Sequence, residues 1–157
     1  MRTYRWGFSL IEVLFVIVIG AVLMAIAIPK FGQVQLQRAV ANARDSFVLL
    51  GARARITSIE RGRNVKLGLD PQTDRAWICV TPCSAASDTL EIVQFRDDFT
   101  AEVDTPSDAL VVVCYTPRGY ANTNCSTGLT GTITVEFEKS GQKSKARIQP
   151  LGQVSKI

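Results

Sequence analysis

The side chains able to do chemistry in this 157-residue chain are few and unevenly placed. A single carboxylate, Glu12, lies inside the run GFSLIEVLFVIVIGAVLMAIAI at residues 7–28, which is otherwise apolar except for Ser9. An ion in low dielectric is costly unless a cation meets it, so an acid inside such a run points to function rather than to anchoring alone. Four cysteines, Cys79, Cys83, Cys114 and Cys125, all lie beyond the run, which suits disulfides in an oxidising compartment. The chain has no histidine, so the usual general base and the commonest metal ligand are missing. It also lacks a Ser/His/Asp or Cys/His set and a phosphate-cradling glycine loop, so an enzyme is not expected.

The acid has to be positioned by the element that carries it. As a helix, residues 8–28 would be about 32 Å long, enough to cross the hydrocarbon core of a bilayer. Arg2 and Arg5 precede the span, which predicts a cytoplasmic N-terminus and an exported C-terminal part. An ordinary secretory signal cut after Ala27 by the Ala25-Ile26-Ala27 pattern is the competing reading. It gives no role to Gly7, Phe8 or Glu12, and the apolar core exceeds the roughly 7–15 residues of a signal-peptide core.

A short basic leader ending in Gly7, then Phe8-Ser9-Leu10-Ile11-Glu12, then a long apolar helix closed by Pro29, resembles the class III signal of type IV prepilins and type II secretion pseudopilins. The resemblance implies that a prepilin peptidase cuts after Gly7 and N-methylates Phe8, and that Glu12 is the filament-assembly residue. The physics agrees: cleavage creates an α-amino cation at Phe8, which Glu12 of a neighbouring subunit could meet, fixing axial register while neutralising both charges. In the mature chain Glu12 would also sit in the second helical turn, where the macrodipole favours an anion. The implied partners are other pilin or pseudopilin subunits, the prepilin peptidase, an inner-membrane assembly platform and the lipid bilayer, with no cofactor and no metal.

A second resemblance covers the C-terminal half. Ile133-Thr134-Val135-Glu136-Phe137, Gly141, and Arg147-Ile148 leading to Gly152-Gln153-Val154 resemble the ending of H-type pseudopilins and related minor pilins, thought to initiate or cap a filament. Some DNA-binding members carry an arginine-bearing stretch after the last glycine, where this chain has Gln153, Ser155 and Lys156. A pilus-tip DNA receptor using Arg118, Lys139, Lys143, Lys145 and Arg147 as phosphate contacts is the alternative function.

Charge and length bound the rest. Of 18 basic and 14 acidic side chains, Arg2 and Arg5 would leave with the leader, and the remaining 16 against 14 give +2, too balanced to argue for a nucleic-acid partner. The chain divides into a leader at 1–7, a transmembrane and assembly helix at 8–29, an amphipathic helix at 30–62 and one β-rich periplasmic domain at 63–157. Pro29 cannot donate to the carbonyl of Ala25, so a kink is expected there, with helix resuming beyond it. Val40, Ala43, Phe47, Leu50 and Ala54 then recur on one helical face, and the helix should stop near Gly62. Arg53, Arg55, Arg61, Arg63 and Lys66 around that end are expected to be solvated.

After Gly62 the period becomes two, which predicts six to eight short strands. Val65, Leu67 and Leu69 begin a hairpin that turns at residues 70–74 and returns over 76–80. Residues 89–96 and 99–103 suggest a second pair joined across Asp97-Asp98, 109–116 a strand buried on both faces, and 131–138 a strand returning through Ala146, Ile148 and Val154. The expected class is α+β, a long helix packed on antiparallel sheets, as in pilins. The cysteines allow three pairings, the two local ones, Cys79 with Cys83 and Cys114 with Cys125, being preferred over zinc because tight C-x₂-C knuckles are absent. A pinned loop from Cys114 to Cys125 would hold Tyr115, Arg118 and Tyr120 as a candidate contact surface. Asp97, Asp98 and Asp104 lack an alternating calcium-loop pattern, and Trp77 is expected in the core.

Overall fold

The structure, a computed structural model, describes residues 9–157, so the expected processing positions Gly7 and Phe8 lie outside it. The first element, α1 (Leu10–Arg61), continues past Pro29. It ends where Gly62 takes φ +59, a left-handed conformation suited to glycine, with its N–H donating to the Ile59 carbonyl at 3.3 Å. The chain divides after Gln35 into two compact units. In the first, no described residue from 10 to 35 is buried.

The second unit, from Leu36 onward, holds the core. Its part of α1 buries Val40, Ala43, Phe47, Leu50 and Ala54, the stripe that the 3.6-residue period places on one face. Two four-stranded antiparallel sheets follow. The first is built from β1 (Val65–Asp70), β2 (Arg75–Val80), β3 (Thr89–Gln94) and β5 (Val111–Tyr115) in the order β3-β2-β1-β5. The second contains β4 (Glu102–Asp104), β6 (Ile133–Lys139), β7 (Gln142–Ile148) and β8 (Val154–Lys156) in the order β4-β6-β7-β8. Strict alternation sends Val65, Leu67 and Leu69 of β1, and Val135 and Phe137 of β6, into one shared core. The fold is therefore α+β, a long N-terminal helix with antiparallel sheets.

The expected β1–β2 hairpin forms, with Val65 opposite Val80 through Asp70 opposite Arg75. Its turn is closed by Asp70, whose carboxylate accepts from the Gln72 N–H at 3.1 Å and the Thr73 hydroxyl at 2.7 Å. The expected pairing of residues 89–96 with 99–103 does not occur. After β3 the chain coils into α2 (Phe95–Phe99), and β4 pairs with β6 of the other sheet. Aromatic packing explains the departure. Phe95 is fully buried, its ring centroid 5.1 Å from that of Phe137 and 6.4 Å from that of Phe47, while Asp98 accepts the Gln94 N–H at 3.2 Å and caps the turn.

Two further expectations are corrected. Leu110 is exposed and Val112 in β5 half-buried while Cys114 on the same face is buried, so that face is covered only toward the end of the strand. It lies at a sheet margin and is bridged on its far side by Thr127, with mutual backbone hydrogen bonds of 2.8 Å. Trp77 is not a core residue: it points to the outer face of the first sheet and lies over Gly68, where any side chain would strike the indole, with the Arg75 guanidinium 5.6 Å from its ring.

Candidate assembly site

Glu12 lies in the first turn of α1 as described, fully on the surface, and the backbone N–H groups of Glu12 and Val13 donate to the Ser9 carbonyl at 3.0 and 3.3 Å. Around it, Ile11 is 62% exposed and Phe15 61%. Among the described residues Glu12 has no hydrogen-bond or ion-pair partner for its carboxylate. The helix is long and apolar enough to cross a membrane, and the apolar window is not covered by protein. The arrangement sets a carboxylate, uncompensated among the described residues, within an apolar surface, where a cation would stabilise it.

The two disulfides join Cys79 to Cys83 and Cys114 to Cys125, with Cα–Cα separations of 5.5 and 5.6 Å. The second pins residues 115–124 against the rest of the unit. Asn122 N–H donates to the Cys114 carbonyl at 2.8 Å, and Ala121 N–H donates to the Leu151 carbonyl at 3.0 Å. Of the three residues expected on this loop surface, Arg118 and Tyr120 are exposed and Tyr115 is not. Tyr115 is wholly buried and its hydroxyl donates to the Gly152 carbonyl; burial pushes its pKa well above the ordinary phenol value.

The basic residues separate into different environments. Arg53 pairs with Glu91 at 2.6 Å, and the Arg63 guanidinium donates to the Thr81 carbonyl at 3.0 Å. Lys143 reaches Glu138 at 2.9 Å and Glu136 at 3.3 Å, and Lys145 pairs with Glu136. Lys139 donates to the Phe99 carbonyl at 3.2 Å. Three of the five cations needed to grip a phosphate backbone are thus engaged within the domain. Among the described residues no group of acids, cysteines and histidines could hold a metal ion, and Asp98 is occupied by the Gln94 N–H.

One buried acid has no signal in the sequence beyond its turn. Asp74, with its side chain 3% exposed and φ +50, accepts the Val103 N–H at 2.8 Å and pairs with Arg96 at 2.6 Å, while its carbonyl accepts the Phe95 N–H at 2.8 Å. It ties the first hairpin to α2 and β4. Its partners lie more than twenty residues away, so no local spacing announces it.

Comparison with known proteins adds two findings. Residues 7–28 match the prokaryotic N-terminal methylation motif. The fold is similar to the type IV minor pilin FimU of Pseudomonas aeruginosa in two crystal forms. One has a TM-score of 0.57 at 13% identity, covering 75% of this chain and 87% of that one; the other has 0.56 at 14%, covering 74% and 91%. No curated protein sequence matches this chain. The chain thus joins the N-terminal methylation motif of prokaryotic pilins to the fold of a type IV minor pilin.

Proposed function

We propose that this protein is a minor pilin or pseudopilin, a structural subunit that polymerises through its N-terminal helix and initiates or caps a type IV pilus or type II secretion pseudopilus. The observation that carries the reading is Glu12: an exposed carboxylate without a partner among the described residues, within the methylation motif and on an otherwise apolar helix surface. In this reading prepilin peptidase cleaves between Gly7 and Phe8 and methylates Phe8. The helix then holds the chain once across the inner membrane, with the N-terminus cytoplasmic and the domain periplasmic. Glu12 meets the α-amino group of Phe8 of an adjacent subunit during addition to the filament, and Pro29 marks where the helix bends or loosens as subunits pack. The DNA-receptor reading is less well supported, because Lys143 and Lys145 are already held by Glu136 and Glu138.

The test is an intact mass of the protein from its native membrane. A chain beginning at Phe8 with one added methyl is expected. A chain beginning at Ile28 would make this a soluble exported domain and remove the role given to Glu12.

A further inference from the structure

At the C-terminal end of α1 three apolar side chains gather on the surface: Ile59 at 52% exposure, Tyr120 at 43% and Leu151 at 72%. The segments that carry them are held close to one another. Gly119, at φ +77, lies so close to the helix that a Cβ there would be 2.8 Å from the Ile59 Cδ1 and 3.3 Å from the Arg55 Nε. The Ala121-to-Leu151 hydrogen bond then joins the loop to the turn before β8. Arg55 and Arg118 flank this patch, both exposed and without an ion-pair partner among the described residues. An apolar centre rimmed by two free cations fits a partner that carries acids beside an apolar or backbone surface.

This chain has such a surface on its opposite margin. In the second sheet β4 is the edge strand at one end and β8 the edge at the other, and Leu151 lies three residues before β8. On β4, Glu102 and Asp104 are exposed and stand directly across from Glu138 and Glu136. Like charges in opposed positions destabilise a sheet, and a cation supplied from outside relieves them. Glu136 and Glu138 have Lys143 and Lys145. Glu102 has only Arg96 at 3.8 Å, a guanidinium held closer by Asp74, and Asp104 has no ion-pair partner among the described residues.

We propose that the Ile59, Tyr120 and Leu151 patch, with Arg55 and Arg118, docks the Glu102 and Asp104 edge of a second copy of this chain. The inference rests on the filament-subunit reading and names a contact within it. Because the two surfaces differ, the contact is head-to-tail and leaves one unused surface at each end of a pair. Coverage by a neighbour also masks an open sheet edge. The patch offers three apolar side chains and two cations, few beside the roughly 20–30 residues a side of a standard interface. It acts where helices already gathered in the membrane raise the effective concentration.

The experiment places a photoreactive benzophenone side chain at position 151 of the full-length protein in its native membrane. The expected product is an adduct of two copies whose cross-linked peptide contains Glu102 and Asp104. Arg55→Glu with Arg118→Glu should lower its yield roughly tenfold, and adding Glu102→Lys with Asp104→Lys to the same chain should restore it. All four positions are exposed, and retained disulfides and melting temperature confirm folding. No adduct, an adduct elsewhere or with a different protein, or a yield indifferent to charge reversal overturns the proposal. A chain that begins at Phe8 without this adduct overturns the docking alone. A chain that begins at Ile28 overturns the filament reading, and an adduct from such a chain also overturns the part given to helices gathered in the membrane.

Discussion

The part of α1 before Leu36 and the part after it are built of the same helix but solve opposite problems. Beyond Leu36 the apolar residues keep to one face, and Val40, Ala43, Phe47, Leu50 and Ala54 are covered by the chain's own sheets. Before it, Val13, Leu14, Phe15, Val16, Ile17 and Val18 follow one another without a polar face, and each is at least 48% exposed. A helix that is apolar all round is unstable against water, and among the described residues 10–35 none is buried. Patterning therefore separates the part whose apolar residues form the core from a part whose apolar residues stay on the surface.

The sharpest way to break that comparison is to change one residue in each part. Glu12→Ala should abolish incorporation into filaments while leaving cleavage, disulfides and the melting temperature of the domain as they are. Normal filaments containing the variant would end the assembly role of Glu12. Phe47→Ala should do the reverse. It empties the aromatic cluster formed with Phe95 and Phe137, at centroid distances of 6.4 and 5.9 Å, and costs about 3–5 kcal/mol, read as a large fall in melting temperature of the full-length protein in detergent. Phe15→Ala, the same truncation in the first part, should leave that melting temperature unchanged.

The next effect concerns how the domain holds its loop on the second part of the helix. Replacing Cys114 and Cys125 together by serine removes a cross-link of sequence separation 11, which should cost about 2–3 kcal/mol and expose residues 115–124 to proteolysis. The bond between Cys79 and Cys83 spans only 4 residues, so its removal should cost less. Equal losses would mean that loop closure is not what the longer bond contributes.

The same contrast explains what could be read from the residues. The stripe from Val40 to Ala54 and the alternation in β1 and β6 were legible because burial there follows a fixed period. The end of α1 was legible from Gly62. Residues 95–104 were not, because Phe95 and Phe99 suit an outward strand as well as one helical turn, and the partners that decide, Phe47 and Phe137, lie far away in the chain. Tyr115 and Trp77 misled for a related reason. Each is large and amphipathic, and its side is set by one distant or flanking contact, the Gly152 carbonyl for Tyr115 and the bare backbone of Gly68 for Trp77. At the candidate site, Glu12 was legible as an anomaly of composition, whereas Asp74 and the Ile59, Tyr120 and Leu151 patch depend on tertiary contacts.

The smallest expected effect compares two carboxylates. Glu12 has no cation among the described residues, whereas Glu136 on the open face of the second sheet has two. Hydrogen bonds from Lys145 and then Lys143 hold the Glu136 carboxyl below its ordinary value of 4.5. A carboxylate whose folded pKa is depressed contributes stability above its unfolded pKa and loses it as pH falls through the folded value. Glu136→Gln should therefore lower the melting temperature slightly at neutral pH and flatten its decline on acidification below 4.5. The group is solvent-screened, so the shift should be the least of those described here and should shrink further in high salt. A salt-independent loss would place Glu136 in packing rather than in charge, and would remove the contrast with Glu12, which has no cation among the described residues.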